Sequence, residues 1–456
     1  MRLSPGGATG PTRLLFSLTG DVDGDFRVSR RDLAAIRSAS RSGPRHATAA
    51  SPPADVDGDG RVTTADLGLA RRNLGASTRL RIPETPLPPS GDGEPEGPGT
   101  APRPRPPEAS LALSAESDPD GDGTVVTPDV TLRGRAQAGA RVQLTGDDGA
   151  PIGTGLTADL DGIFTATAHV PMGDSTISAE VTDALGQTTR VALPVHRRDL
   201  AIDWSTALLD AVRATRNNPP AASRQMAILG VAMYDAVASI DRAFDPYSRF
   251  VDAPAGASRE AAVASAAYRV LTALYPDRAA LSDALLVSSL ADIPDGPDEA
   301  AGVVLGASVA EGILASRNDD GSGNRVTAPA GTEPGQWRPT PPGYLPPLLP
   351  GWGSVTPFAM TDATQFRIPP PPDLASPEYA AALDEVAALG AVDSTVRTPD
   401  ETDLARFWAD GAGTATPPGH WWRIAATIGA GRDQSLLENA RIFALVGIAL
   451  ADAEIT

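Results

Sequence analysis

Two short acidic segments hold the residues whose types and spacing could do chemistry. DVDGDFRVSRRDL begins at Asp21 and DVDGDGRVTTADL at Asp55, 34 residues later. Each sets Asp at positions 1, 3, 5 and 12 with Gly at or near the sharp bend, which lets a short loop wrap oxygen ligands around a hard cation. In the first loop Asp21, Asp23 and Asp25 offer carboxylates, Arg27 its backbone carbonyl, Ser29 a direct or water-bridged oxygen, and Asp32 the closing carboxylate. Asp55, Asp57, Asp59, Arg61, Thr63 and Asp66 repeat the set. The chemistry this predicts is calcium binding, with two ions per chain. Asp at position 12 reaches less far than Glu, so the segment after each loop must lie close to its ion.

That segment is in each case one amphipathic helix, DLAAIRSA and DLGLARRNLG, and nothing helical clearly precedes either loop. The units are therefore half EF-hands. Phe26 stands where the second loop has Gly60 and is available to pack on a small core. Two loop-and-helix units in register over residues 18 to 78 resemble a type I dockerin domain. The resemblance implies a calcium-folded module and a cohesin domain as its partner. A cage of four carboxylates does not persist without its ion, so binding energy would be folding energy.

Composition sets limits on the rest. At 456 residues the chain is long enough for about three domains. Its formal charge of -19, from 38 basic and 57 acidic residues, opposes binding nucleic acid through phosphate neutralisation. Eight of those acids sit in the two loops, where calcium would offset part of their repulsion. Cysteine is absent, and every basic residue is arginine, so thiolate chemistry, Schiff bases and lysine anion ligands are excluded. The start lacks the apolar core of a secretory signal, and no stretch reaches the ~20 apolar residues of a membrane span. The chain reads as soluble, and its module types point to an extracellular or cell-surface setting.

Four zones follow one another. Residues 15–78 hold the loop repeat. Residues 79–109, rich in Pro, Gly and charge, are a solvated linker that cannot bury a core. Residues 110–197 change to short alternating segments (VTLRGRA, ARVQLTG, GIFTATAHV, STISAEVTD) between Gly, Asp and Pro turns, which predicts a small antiparallel β-sandwich. Their order resembles bacterial Ig-like domains, modules that usually act as spacers. The run DPDGDG at Asp118 reads as an acidic turn in preference to a third calcium loop, because no closing acid in register begins a helix. Residues 198–456 are helical, with apolar residues at i, i+3, i+4 and i+7 in DWSTALLDAVRATR, SRQMAILGVAMYDAVASI, EAAVASAAYRVLTALY and SLLENARIFALVGIALADAEI. A Pro-rich excursion over 317–373 interrupts them. The fold class expected is multidomain: a half EF-hand calcium module, an antiparallel sandwich and an incomplete all-α bundle.

Four strings in the helical zone resemble the amino-terminal part of bacterial vanadium-dependent haloperoxidases, relatives of the type 2 phosphatidic acid phosphatases. They are SRQMAILGVAMYDAVASI, EPGQWRPTPPGYLPPLLPGWGSVTPFAM, RFWADGAGTATPPGHWWRIA and LLENARIFALVGIALADAEI, and they cover roughly Ala201 to Thr456. The resemblance implies helical bundles around an oxyanion site for vanadate or phosphate. That site uses Lys and Arg, a Ser-Gly-His segment and a later Arg and His, because a multiply charged oxyanion needs cations and donors. No lysine and no Ser-Gly-His occur here. The reading is of a fragment, inactive alone, of a haloperoxidase or acid phosphatase parent; a calcium-dependent scaffold without catalysis is the alternative. No catalytic residue is assigned. His420 is read as structural or pocket-lining, and Asp235, Asp410 and Asp452 as buried caps or partners of Arg224, Arg406 and Arg441. Self-association through the helical domain is a further implication of the resemblance.

Overall fold

A computed structural model describes residues 107–248 and 250–456. The two acidic loops and almost all of the Pro-rich stretch after them lie outside the described residues.

The first part of the described chain is built of strands. β1 (Ser110–Leu113), β3 (Asp129–Arg135) and β6 (Ile163–His169) form one sheet in the order β1-β3-β6. β2 (Thr124–Val125), β8 (Thr188–Arg197), β7 (Gly173–Thr182), β4 (Arg141–Thr145) and β5 (Pro151–Thr157) form a second, in that order. Alternation selects the inward residues: Val130 and Leu132 from β3, Val142 and Leu144 from β4, Phe164 and Ala168 from β6, and Ile177, Ala179 and Val181 from β7 share one buried cluster. Gly134 is required where it stands, since a Cβ there would lie 2.0 Å from the Phe164 ring and 2.5 Å from the Ser110 carbonyl oxygen. The pairing is antiparallel throughout, except that β2 runs parallel to β8. The expectation of a wholly antiparallel arrangement is corrected on this point: β2 is two residues long and arrives beside β8 from the acidic turn, not from a hairpin.

Nine α-helices follow among the described residues: α1 (Leu200–Thr215), α2 (Pro219–Asp241), α3 (Arg259–Leu274), α4 (Ala279–Ala291), α5 (Pro297–Ser316), α6 (Pro377–Gly390), α7 (Pro399–Trp408), α8 (Thr416–Gly431) and α9 (Leu436–Ile455). Their starts are written in the sequence. Asp199, Asn218, Ser258, Ser376, Thr398 and Ser435 each accept a backbone N–H of the first turn, and Pro occupies the first turn of α2, α6 and α7. Thr398 with Glu401, and Ser435 with Glu438, complete capping boxes.

α2 is the axis of the helical core and is buried from Met226 through Ser239 without a break. Small residues let its neighbours approach. A Cβ on Gly230 would sit 2.7 Å from the Phe443 backbone of α9, and one on Gly447 of α9 would sit 2.8 Å from the Ala227 Cα. Gly302 and Gly306 do the same between α5 and α3, where a Cβ would meet the Ser258 and Ala262 carbonyl oxygens at 2.4 and 2.1 Å. α5 is the one helix among the described residues long and apolar enough to cross a membrane by length and composition; its buried residues include both of these glycines. α6 and α7 bury no residue. Between α5 and α6 the chain holds only one 3-10 turn, Trp352–Ser354, so the expected Pro-rich excursion is present as irregular structure.

Candidate functional site

The twelve calcium-ligand candidates, Asp21 through Asp32 and Asp55 through Asp66 as named above, all lie outside the described residues. The functional geometry on view belongs to the helical part.

His420 sits near the start of α8 and is 4% exposed. Its Nδ1 lies 2.8 Å from Asp410 Oδ2, in the loop that leads from α7 to α8. The imidazole is enclosed by aromatic rings, Phe407 at 4.5 Å and Trp408 at 4.8 Å between centroids, and Trp408 in turn lies 5.2 Å from Trp421. The short α7 therefore ends in two rings that fold over the His, and Asp410 fixes the ring's orientation through one nitrogen. No hydroxyl is hydrogen-bonded to His420 among the described residues, so no nucleophile is primed by it. The arrangement positions an imidazole; it does not assemble a nucleophile and base.

Asp452 and Asp235 organise the backbone of distant loops. Asp452, near the end of α9, accepts the N–H groups of Phe358, Ala359 and Met360 at 2.6, 2.8 and 2.9 Å. Asp235, in α2, accepts those of Tyr247 and Ser248 at 2.6 and 2.9 Å. Burial pushes the Asp235 carboxyl up to about 6, against the pull of these two amides. Both acids are thus buried caps, as the sequence suggested.

The expected arginine pairings are corrected. Arg224 donates to Asp320 Oδ2 at 2.7 Å and to the Arg317 carbonyl at 2.7 Å. Arg406 pairs with exposed Asp403 one turn earlier, at 3.4 Å. Arg441 lies over the Phe244 ring at 4.5 Å. Asp235 and Asp452 need no arginine because backbone amides already fill their oxygens, and Asp410 is taken by His420.

Arg317 went unnoticed in the sequence. It is 6% exposed, lies 3.5 Å from the centroid of the Phe358 ring, and donates to the Thr356 and Pro357 carbonyls and to Tyr247 Oη. Together with Asp452 it pins the Pro-rich excursion to the helical core. Its one local partner is Asp320 at 4.0 Å, three residues on; the carbonyls that it caps lie 39 and more residues away, so SRNDDG alone does not mark it.

Four buried or half-buried arginines that could receive an oxyanion such as vanadate already hold partners. Arg197 pairs with Asp433, Arg198 with Asp292 at 2.8 Å, Arg224 with Asp320, and Arg317 caps carbonyls. Each of these four is committed to a protein acceptor. No lysine is present to replace them.

The acidic turn at DPDGDG brings carboxylate oxygens of Asp118, Asp120 and Asp122 within 4.8 Å of one another. Asp118 accepts the N–H groups of Gly121 and Gly123, both at 3.0 Å, and Asp122 accepts that of Thr124 at 2.6 Å. Those bonds account for the turn.

No curated relative matches it. A solved structure described as the crystal structure of the first bacterial vanadium-dependent iodoperoxidase is similar to it at 25% identity and a TM-score of 0.48. The similarity covers 56% of this chain and 66% of that one, so this chain spans less than two thirds of it. Residues 19–75 match the family described as the Dockerin type I domain, and this segment of the chain is a dockerin-type module.

Proposed function

We propose that this is a calcium-binding modular protein that docks through its dockerin segment and presents a haloperoxidase-like helical domain. The observation that carries the reading is the pair of in-register acidic loops inside residues 19–75. Asp21, Asp23, Asp25, Arg27, Ser29 and Asp32 hold one calcium, and Asp55, Asp57, Asp59, Arg61, Thr63 and Asp66 the other. Seven or so oxygens per ion, four of them from carboxylates, suit calcium over softer metals. The modules run as 15–78 for docking, 79–109 as linker, 110–197 as an Ig-like spacer and 198–456 as the helical domain. A cohesin domain is the partner, and the setting is extracellular or at the cell surface.

The haloperoxidase-like assignment of the helical domain rests on its four sequence strings. A second reading, a scaffold without catalysis, is favoured by one specific observation: the buried and half-buried arginines named above are all paired, so an anion would have to break existing contacts to bind there. Two experiments test the proposal. Pull-down on a panel of immobilised type I cohesins, with calcium and with chelator, is expected to show calcium-dependent capture that Asp21→Ala with Asp55→Ala abolishes; no capture by any cohesin argues against docking. Vanadate-supplemented halide oxidation and phosphate ester hydrolysis are both expected to be absent in the chain alone; turnover in either assay defeats the scaffold reading.

A further inference from the structure

Where the strands give way to the helices, one carboxylate collects donors from several elements. Asp433, in the loop between α8 and α9, adopts a left-handed backbone (φ 54) that turns its side chain back on the sheets. Its Oδ1 accepts from the nearly fully buried Arg197 at the end of β8 and from the Met172 N–H at 3.1 Å. Its Oδ2 lies 2.7 Å from Nε2 of His169 at the end of β6. All three donors come from the strand part and the acceptor from the helical part. Arg197 also donates to the Val170 carbonyl and to that of Gln434, so the permanent charge is anchored on both sides.

His169 is the variable member. Its other nitrogen, Nδ1, lies 3.1 Å from Asp129 Oδ1 at the start of β3. Both ring nitrogens therefore face carboxylates. A neutral imidazole has one N–H and one lone pair, so whichever tautomer forms, a lone pair confronts a carboxylate; only the imidazolium satisfies both. We propose that the strand and helical parts are clamped by Asp433 on Arg197 and His169, and that the clamp tightens as His169 takes up its second ring proton. This proposal is independent of calcium and of docking.

The surroundings agree. The charged groups facing His169 are Asp433 and Asp129, with Arg197 behind Asp433 and with Asp147 and Asp148 lining the same shallow cavity. Hydrogen bonds donated by His169 to Asp433 and Asp129 raise its pKa. A histidine raised in the folded state stabilises fully below its ordinary 6.5 and loses that contribution as pH rises through the raised value. The Asp433 carboxyl is held below its ordinary 3.8 despite partial burial, by His169 and Arg197, so its contribution is lost only when pH falls through that lowered value. The clamp is strongest between the two.

The absence of cysteine makes the test direct. Leu185, 77% exposed in the turn after β7, and Leu281, 61% exposed on α4, are replaced by Cys in the full chain and labelled for single-molecule energy transfer. One narrow distribution is expected at pH 5.5 and a broadened or second population at pH 8.5. His169→Gln, at a half-exposed site that cannot threaten folding, should lose the pH dependence, and Asp433→Asn should be broad at both pH values, with circular dichroism confirming its fold. A distribution that is identical at both pH values in the parent, or that still responds to pH in His169→Gln, overturns the proposal.

Discussion

Replacing Asp452 by Ala should free the Pro-rich excursion from the helical core. The carboxylate accepts three consecutive backbone N–H groups, from Phe358, Ala359 and Met360, and is 6% exposed. A buried donor left without an acceptor costs about 1–3 kcal/mol, and bonds to a charged acceptor lie toward the upper end. The three amides do not count equally. Phe358 is buried and its N–H would be orphaned; Met360 is half-buried; Ala359 is exposed and water can replace the lost acceptor. The sum is about 2–4 kcal/mol for Asp452→Ala. Asp452→Asn keeps one carbonyl oxygen but turns an NH2 toward an amide, and should cost about 1–2 kcal/mol. Urea unfolding of the parent and both variants measures the totals. Hydrogen exchange of peptides spanning 355–361 locates the effect: these amides should lose protection while those of α2 keep theirs. Unchanged exchange at 358–360 in Asp452→Ala would refute the assignment of this carboxylate as the anchor of the excursion.

Further outcomes are expected elsewhere. Gly447→Val places a branched Cβ where the Ala227 Cα stands 2.8 Å away, and should lower stability by about 1–3 kcal/mol in thermal unfolding, while Leu445→Ala at an exposed site nearby changes it little. The Asp203 carboxyl is pushed up to about 6 by burial, so the folded chain holds its proton more tightly than the unfolded chain does. The destabilisation is absent below the ordinary 3.8 and complete above about 6. Asp203→Asn should therefore raise stability at pH 7 relative to pH 4 by about 1–2 kcal/mol, allowing for the partial exposure of the group and for Arg198 at 3.5 Å; a denaturation series across pH 4 to 7 would expose an error if the variant's pH slope equalled the parent's. His420→Ala removes the ring on which Phe407 and Trp408 rest and should cost about 1–3 kcal/mol, with a red shift of tryptophan emission. An unshifted spectrum would mean that the aromatic cluster does not depend on the imidazole.

Much of the helical core could be read in advance because its determinants are local. The run from Met226 to Ser239 contains hardly anything but Ala, Val, Leu, Ile, Met and Gly, and it is buried on all sides. Asn218 with two prolines announces where it starts, as Ser435 with Glu438 does for α9. The segment of α5 was not singled out, although its buried face sets Leu305, Val309 and Ile313 beside Gly302 and Gly306; apolar residues on its open side, such as 70% exposed Val304, blur the period. β5 went unread for a related reason: PIGTGLT is exposed over most of its length and shows no strong alternation. The dockerin segment was legible because one loop pattern recurs in register, and the expected 18–78 coincides closely with the matched 19–75. Side-chain partnerships across the chain were not. Asp410, Asp235 and Asp452 were read as buried caps or partners of arginines; Asp235 and Asp452 are caps and Asp410 holds a histidine, and which of the two roles each acid takes is decided by hydrogen-bond demand in loops that leave no trace beside the acid. His169 and Asp433 stand 264 residues apart, and only the folded chain brings them together.

The central claim is that calcium folds the dockerin segment. Calorimetric titration of calcium into the chelator-treated full chain, with circular dichroism alongside, tests it most directly. Two ions per chain with a gain in helix, reduced to one ion by Asp55→Ala, is the expected result. No heat of binding at millimolar calcium would contradict the account and reduce both loops to acidic turns.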